Sequence, residues 1–204
     1  METLRLISGF CDRFELVVVD DGSSDNTYAE MLRAAEKDDR IIPLQNETNM
    51  GKGYALKKGT QYTRGEYIAF LDSDLDLCPS QLQSFMQLMA RENADVVIGS
   101  KLHADSKVDY PLQRRIISYI YYFFIRCLFL LDIHDTQTGI KLFKAKIIKP
   151  VMQSILVKRF AYDIEVLVLC RRLGAKIVEH PIELIFHRGS SFGRMHFSDL
   201  WHTG

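Results

Sequence analysis

Three carboxylates, Asp72, Asp74 and Asp76, stand at alternate positions in the stretch Tyr67-Ile-Ala-Phe-Leu-Asp-Ser-Asp-Leu-Asp76. The apolar run from Tyr67 to Leu71 before them reads as a buried strand. A tight turn after a strand brings alternate oxygens toward one point. Clustered carboxylates repel one another, so such a site normally holds a cation, and all-oxygen donors suit Mg²⁺ or Mn²⁺. In an open α/β sheet, ligands bind beyond the carboxyl ends of the strands. The stretch is therefore a candidate metal-and-phosphate site. An isolated D-x-D pattern also recurs by chance, and a solvated acidic turn is the other reading.

Two further groups have chemistry in them. Asp20 and Asp21 end the β-branched run Glu15 to Val19, and Gly22-Ser-Ser-Asp25 then supplies a sharp turn and several helix caps. Lys52 lies between Gly51 and Gly53 ahead of a helix, within reach of phosphates or merely solvated. It is not part of a Walker loop, whose spacing is absent. Arg114 and Ser118 are four apart, so on a helix both face one side, and a guanidinium with a hydroxyl suits a phosphate.

Regular elements must position these residues. Glu15–Val19, Ile41–Leu44, Tyr67–Leu71 and Asp95–Gly99 read as strands. Helical stripes separate them, through Tyr28, Met31, Leu32 and Ala35, through Tyr54, Ala55 and Leu56, and from Pro79 through Phe85 and Met89. This alternation predicts an α/β layer with a mainly parallel sheet. Later come a helix from Pro111, a turn-rich loop over Asp132–Gly139 and a strand over Gly139–Phe143. A helix from Tyr162 has Asp163 and Glu165 at its start, and Pro181 marks Lys176–Phe186 as an edge strand. No linker divides the halves, so residues 1–204 are expected to form one domain.

Composition narrows the function. The 26 basic residues balance the 26 acidic ones, giving no global argument for nucleic acid. Four scattered cysteines form no C-x-x-C pair, which fits a reducing compartment better than a disulfide framework or zinc site. The most apolar stretch, Ile116 to Leu131, is interrupted by Arg126 and falls short of the roughly 20 residues needed to span a bilayer. A core helix and an interfacial helix are both open readings for residues 111–131.

In order, Val17–Asp25, Asn49–Gly53, Phe70–Asp76, Gly99–Lys101, Arg114–Ser118, Asp135–Phe143, Phe160–Glu165 and Arg188–Ser191 resemble the family 2 glycosyltransferases. That family has the GT-A nucleotide-sugar fold. The nearer likeness is to its branch that moves a sugar onto a polyprenyl phosphate, as dolichyl-phosphate mannose and glucose synthases do. The family's opening strand, with its Pro-x-x-Asn-Glu-like motif, has no counterpart, because Glu15–Val19 corresponds to the family's second strand. The chain also stops before the amphipathic or membrane helices of many relatives, so a shortened chain or fragment is expected.

The resemblance implies roles. Asp20, Asp21, Lys52, Asp72, Ser73 and Asp74 would contact the donor, and Asp74 and Asp76 would bind the metal, Asp76 standing where relatives often carry Gln. Lys101, Arg114, Ser118 and Arg188 would hold the acceptor phosphate, Lys101 replacing a frequent Arg. Asp163 sits where the wider family keeps a catalytic base, so Asp74 and Asp163 are the catalytic candidates. Asp135 and Gln137 would lie nearby. The implied activity is inverting, metal-dependent transfer of a hexose from a UDP-glucose- or GDP-mannose-type donor to a polyprenyl phosphate, by a peripheral protein at the cytoplasmic face of a membrane. The alternatives are a family 2 enzyme using a saccharide or protein acceptor, for which Asp163 would be a base, and a shortened non-catalytic remnant.

Overall fold

A computed structural model describes residues 1–108, 122, 126, 133–157 and 161–184. Among these residues six strands form two sheets. β1 (Leu16–Asp20) pairs in parallel with β2 (Ile41–Gln45), Leu16 opposite Ile41. The second sheet has the order β3 (Tyr67–Leu71), β5 (Ile140–Lys144), β4 (Val96–Ser100), β6 (Ile177–Pro181). β5 runs antiparallel to both β3 and β4, and β6 is parallel to β4. Three strands of this sheet thus share one direction and only β5 opposes them. The expected mainly parallel α/β layer is present, with one reversed strand that the residue pattern did not reveal. β6 is an edge, as Pro181 predicted.

Helices cover both faces of the larger sheet. α4 (Leu82–Arg91), entered through a 3-10 turn at Pro79–Gln81, packs Leu82, Phe85 and Met89 against Val97, Ile140 and Leu142. On the opposite face α5 (Ala145–Ser154) and α6 (Tyr162–Arg172) bring Ile148, Val151 and Val166 against Ile68, Val96 and Phe143. β4 is buried at all five positions, which explains its unbroken apolar run. α5 went unread in the sequence. Pro150 lies inside it, yet Ile148, Val151, Met152 and Ile155 keep helical spacing and are buried.

The smaller sheet is less well covered. α3 (Lys52–Tyr62) lies on β1 so closely that a Cβ on Gly59 would sit 3.1 Å from Val19. α2 (Thr27–Ala35) has no buried residue, and its stripe residue Leu32 is exposed. The β1 side chains from Leu16 to Val19 are only partly buried. The reason is topological. Among the described residues β1 pairs only with β2, and β3 only with β5. Between the two unpaired edges runs a groove of about 620 Å³, lined by Phe10, Leu16, Tyr67, Ala69, Leu71 and Met86. α1 (Glu2–Ser8) contributes Ile7 to its wall. At one end Glu15 spans the gap, accepting hydrogen bonds from Arg64 Nε (2.9 Å) and Gly65 N (3.2 Å).

The helix expected over residues 111–131, with Arg114 and Ser118, and also Arg188, lie outside the described residues, Tyr122 and Arg126 excepted. Among the described residues no helix is long and apolar enough to cross a membrane.

Candidate active site

The end of β3 meets the start of β5. Asp72 N donates to the Gly139 carbonyl at 3.1 Å, and a Cβ on Gly139 would lie 2.2 Å from Asp72 Oδ2. Glycine is thus required for the carboxylate to rest there. The other Asp72 oxygen, Oδ1, accepts from Lys52 Nζ at the head of α3. Lys52 Nζ also lies 6.0 Å from the Tyr162 ring centroid. Three distant segments, Lys52, Asp72 and Tyr162, therefore converge.

Asp72 is turned toward Lys52, so the expected cluster of three carboxylates does not form. Among the described residues, no three His, Cys, Asp or Glu side chains gather around a metal position. Asp74 is exposed, and its Oδ1 accepts from Asp76 N at 3.2 Å. Leu75 between them has φ 60°, a left-handed conformation unusual for a non-glycine residue. Asp76 Oδ1 is buried without a hydrogen-bond partner among the described residues. An orphaned buried carboxylate oxygen costs free energy unless something positive meets it. Two carboxylates with a ligand's phosphates and water are a donor set that Mg²⁺ or Mn²⁺ accepts, since these ions seldom take an all-protein cage. The residues present therefore fit a divalent ion held by Asp74 and Asp76, without Asp72. Ser73 is exposed between them.

Asp20 and Asp21 have local work. Asp20 is almost fully buried and accepts from Ser23 N (3.1 Å) and Gln45 Nε2 (3.0 Å). Its hydrogen bonds to Ser23 hold the carboxyl below the usual range despite burial. Asp21 accepts from Asn46 Nδ2 (2.7 Å), Met50 N (3.0 Å) and Gly51 N (2.7 Å). Neither residue caps α2; that position belongs to Asn26, with Asp25 accepting from Thr27 N at 2.9 Å. The Asp20–Asp21 turn instead fastens the loop that delivers Lys52. Gly22, with φ 74°, lets it dock, since a Cβ there would come within 2.6 Å of the Thr48 backbone.

At the end of β4, Lys101 N donates to Asp135 Oδ2 at 3.0 Å and its ammonium lies 3.3 Å from the same oxygen. Asp135 thus tethers the one acceptor candidate that the structure describes. Gln137 is exposed, and its backbone N donates to Asp135 Oδ1 at 3.2 Å.

Asp163 opens α6 but caps nothing: the cap residue is Ala161 and no side-chain cap forms. Its Oδ1 accepts from Lys141 Nζ at 2.6 Å, a buried pair absent from the sequence reading. Its neighbour Glu165 accepts from Leu156 N and Val157 N at 3.0 and 2.9 Å, which makes it a fastener of that turn. Burial foremost, then the charges of Asp163 and Asp72, push the Tyr162 phenol well up, so it stays protonated between them.

Helices on both faces of a sheet whose carboxyl edge carries Asp72, Asp74 and Asp76 define an α/β protein, and in such proteins ligands bind at that edge. The chain belongs to glycosyl transferase family 2, which matches it over residues 2–152. It is 36% identical over 174 residues to the dolichyl-phosphate beta-glucosyltransferase ALG5A of Trichomonas vaginalis, covering 83% of this chain and 54% of that protein. To the dolichyl-phosphate beta-glucosyltransferase of Dictyostelium discoideum it is 30% identical, covering 81% and 53%. The chain thus spans about half the length of these curated relatives. Glucosyl-3-phosphoglycerate synthase from Mycobacterium tuberculosis, solved with UDP, superposes with a TM-score of 0.68 at 20% identity, covering 98% of this chain and 69% of that one. Mannosyltransferase PcManGT from Pyrobaculum calidifontis, solved with GDP-Man and Mn²⁺, does so at 0.60 and 18%, covering 92% and 53%. The expected α/β transferase fold is borne out.

Proposed function

We propose that this chain binds a nucleotide-sugar at the end of β3 and transfers its hexose, with inversion, to a polyprenyl phosphate. The observation that carries this is the junction of β3 and β5, where Asp72 rests on Gly139 beside Lys52 and the turn beyond presents Asp74 and the unpartnered oxygen of Asp76. The dolichyl-phosphate beta-glucosyltransferase names of relatives at 30 and 36% identity support the acceptor class and favour glucose.

In this reading Asp74 and Asp76 hold Mg²⁺ or Mn²⁺. The bound ion would supply charge neutralisation to the departing nucleoside diphosphate as a Lewis acid. Lys52 can exchange its Asp72 partner for a donor phosphate. Asp20 and Asp21 set the loop from which it reaches, and Ser73 lines the donor. Lys101, with Arg114, Ser118 and Arg188, receives the acceptor phosphate. A phosphate monoester has a second pKa of about 6, so it attacks largely as a dianion near neutral pH and needs no strong base. Asp163 then orients substrate, and catalysis is positioning plus electrostatics. A lipid acceptor places the protein peripherally at a membrane, on its cytoplasmic face.

The test is transfer of radiolabel from UDP-glucose and GDP-mannose to dolichyl and undecaprenyl phosphate with Mn²⁺ or Mg²⁺. Metal-dependent label in the lipid phase is expected. Label only in added saccharide would favour the hydroxyl-acceptor reading, with Asp163 as base. No binding of any nucleotide-sugar by calorimetry would favour a non-catalytic chain.

A further inference from the structure

β5 has one residue that its surroundings do not explain. Ile140 and Leu142 face the α4 side, and Phe143 faces α5 and α6. By strand alternation Lys141 shares the Phe143 face. It is 3% exposed, where an apolar side chain would fill the same space. A buried ion pair seldom adds stability over well-packed apolar residues, because both charges lose their water. Its geometry is nonetheless specific. The Lys141 ammonium donates to Asp163 Oδ1 at 2.6 Å and to the Thr138 carbonyl at 2.6 Å. Thr138 precedes Gly139, whose carbonyl accepts from Asp72 N and whose Cα hydrogens lie against the Asp72 carboxylate. One ammonium therefore ties the first turn of α6 to the segment on which Asp72 rests.

We propose that Lys141 is a positioning residue: it fixes the separation of the Asp163 carboxylate from the Asp72 carboxylate at the β3–β5 junction. This rests on the reading of that junction as the nucleotide-sugar site. Lys141 touches no substrate. It acts through Asp163 and the Thr138–Gly139 turn. Among the described residues, Tyr162 on its own helix interacts with Asp163, and Asp72 and Lys52 lie against that ring.

The test compares Lys141→Met, Asp163→Asn and the double variant, with Lys141→Gln as a conservative form whose amide can still donate to either oxygen. Turnover with dolichyl phosphate and calorimetric affinities for UDP and UDP-glucose are the readouts. Lys141→Met is expected to lower kcat at least about tenfold while UDP affinity stays within about twofold. The double variant should be no worse than the poorer single one, because both act through one contact. Lys141→Gln should recover part of kcat, and it replaces the Met variant if that does not fold. Losses that multiply in the double variant, or unchanged kcat in Lys141→Met, overturn the proposal. If Asp163→Asn alone is fully active, the reading of Asp163 has failed instead. If the chain turns over no donor, the ratio of UDP-glucose to UDP affinity decides: equal falls in the two single variants sustain the link, and unequal ones refute it.

Discussion

Gly139 and Asp72 show how narrow the tolerances are at single residues. A methyl group on Gly139 would sit 2.2 Å from Asp72 Oδ2, so Gly139→Ala must push the carboxylate off its seat and away from Lys52. We expect kcat/KM to fall at least about tenfold, which is about 1.4 kcal/mol of transition-state stabilisation. Asp76→Asn tests the neighbouring turn. It should weaken Mn²⁺ binding in the presence of UDP by at least about tenfold, with metal-free UDP binding unchanged, as measured by calorimetry. The three aspartates were legible because strand, turn and alternation all occur within ten residues. The family likeness already set Asp72 apart from Asp74 and Asp76, the two proposed metal ligands. What could not be read was the partner of Asp72: Lys52, twenty positions earlier, holds it. Lys141 was hidden for the same reason: its partner lies on another element. The roles of Arg114, Ser118 and Arg188 rest on the family likeness alone, as these residues lie outside the described ones.

Among the elements, the loop between β2 and α3 depends on one carboxylate. Asp21 takes three donors from Asn46, Met50 and Gly51, and an amide in its place cannot accept them all. Asp21→Asn should cost about 1–3 kcal/mol in urea unfolding, and should broaden the Met50 and Gly51 amide resonances before any global change. β4 was legible to within a residue, and the buried face of α4 was legible too, although Pro79–Gln81 form a 3-10 turn ahead of it. α5 was not, because Pro150 sits where the helical pattern would otherwise announce itself. The direction of β5 was also hidden, since a strand's own residues do not say which neighbours it meets.

Across the whole molecule, stability has an acid limit. The Arg40 hydrogen bonds and charge hold the Asp38 carboxyl at about 2 against an ordinary 3.8, and hydrogen bonding also depresses Asp20. Carboxyls lowered in the folded state bind protons more readily once unfolded, so their stabilisation is complete above the unfolded value and fades as pH falls through the folded one. The melting midpoint should be flat above about pH 5 and drop between about pH 4 and 2, with Asp38→Asn shallower over that interval. Melting curves across a pH series would check this.

The groove between the unpaired edges of β1 and β3 carries a kinetic consequence. β1 and β2 form a two-stranded ribbon attached by α3 and the Glu15 clamp, whereas β4 is enclosed by strands on both sides. Two strands alone are marginal in water. Deuterium should therefore enter the amides of Leu16–Asp20 by opening of that ribbon alone, well before it reaches Val96–Ser100, whose exchange requires the larger sheet to come apart.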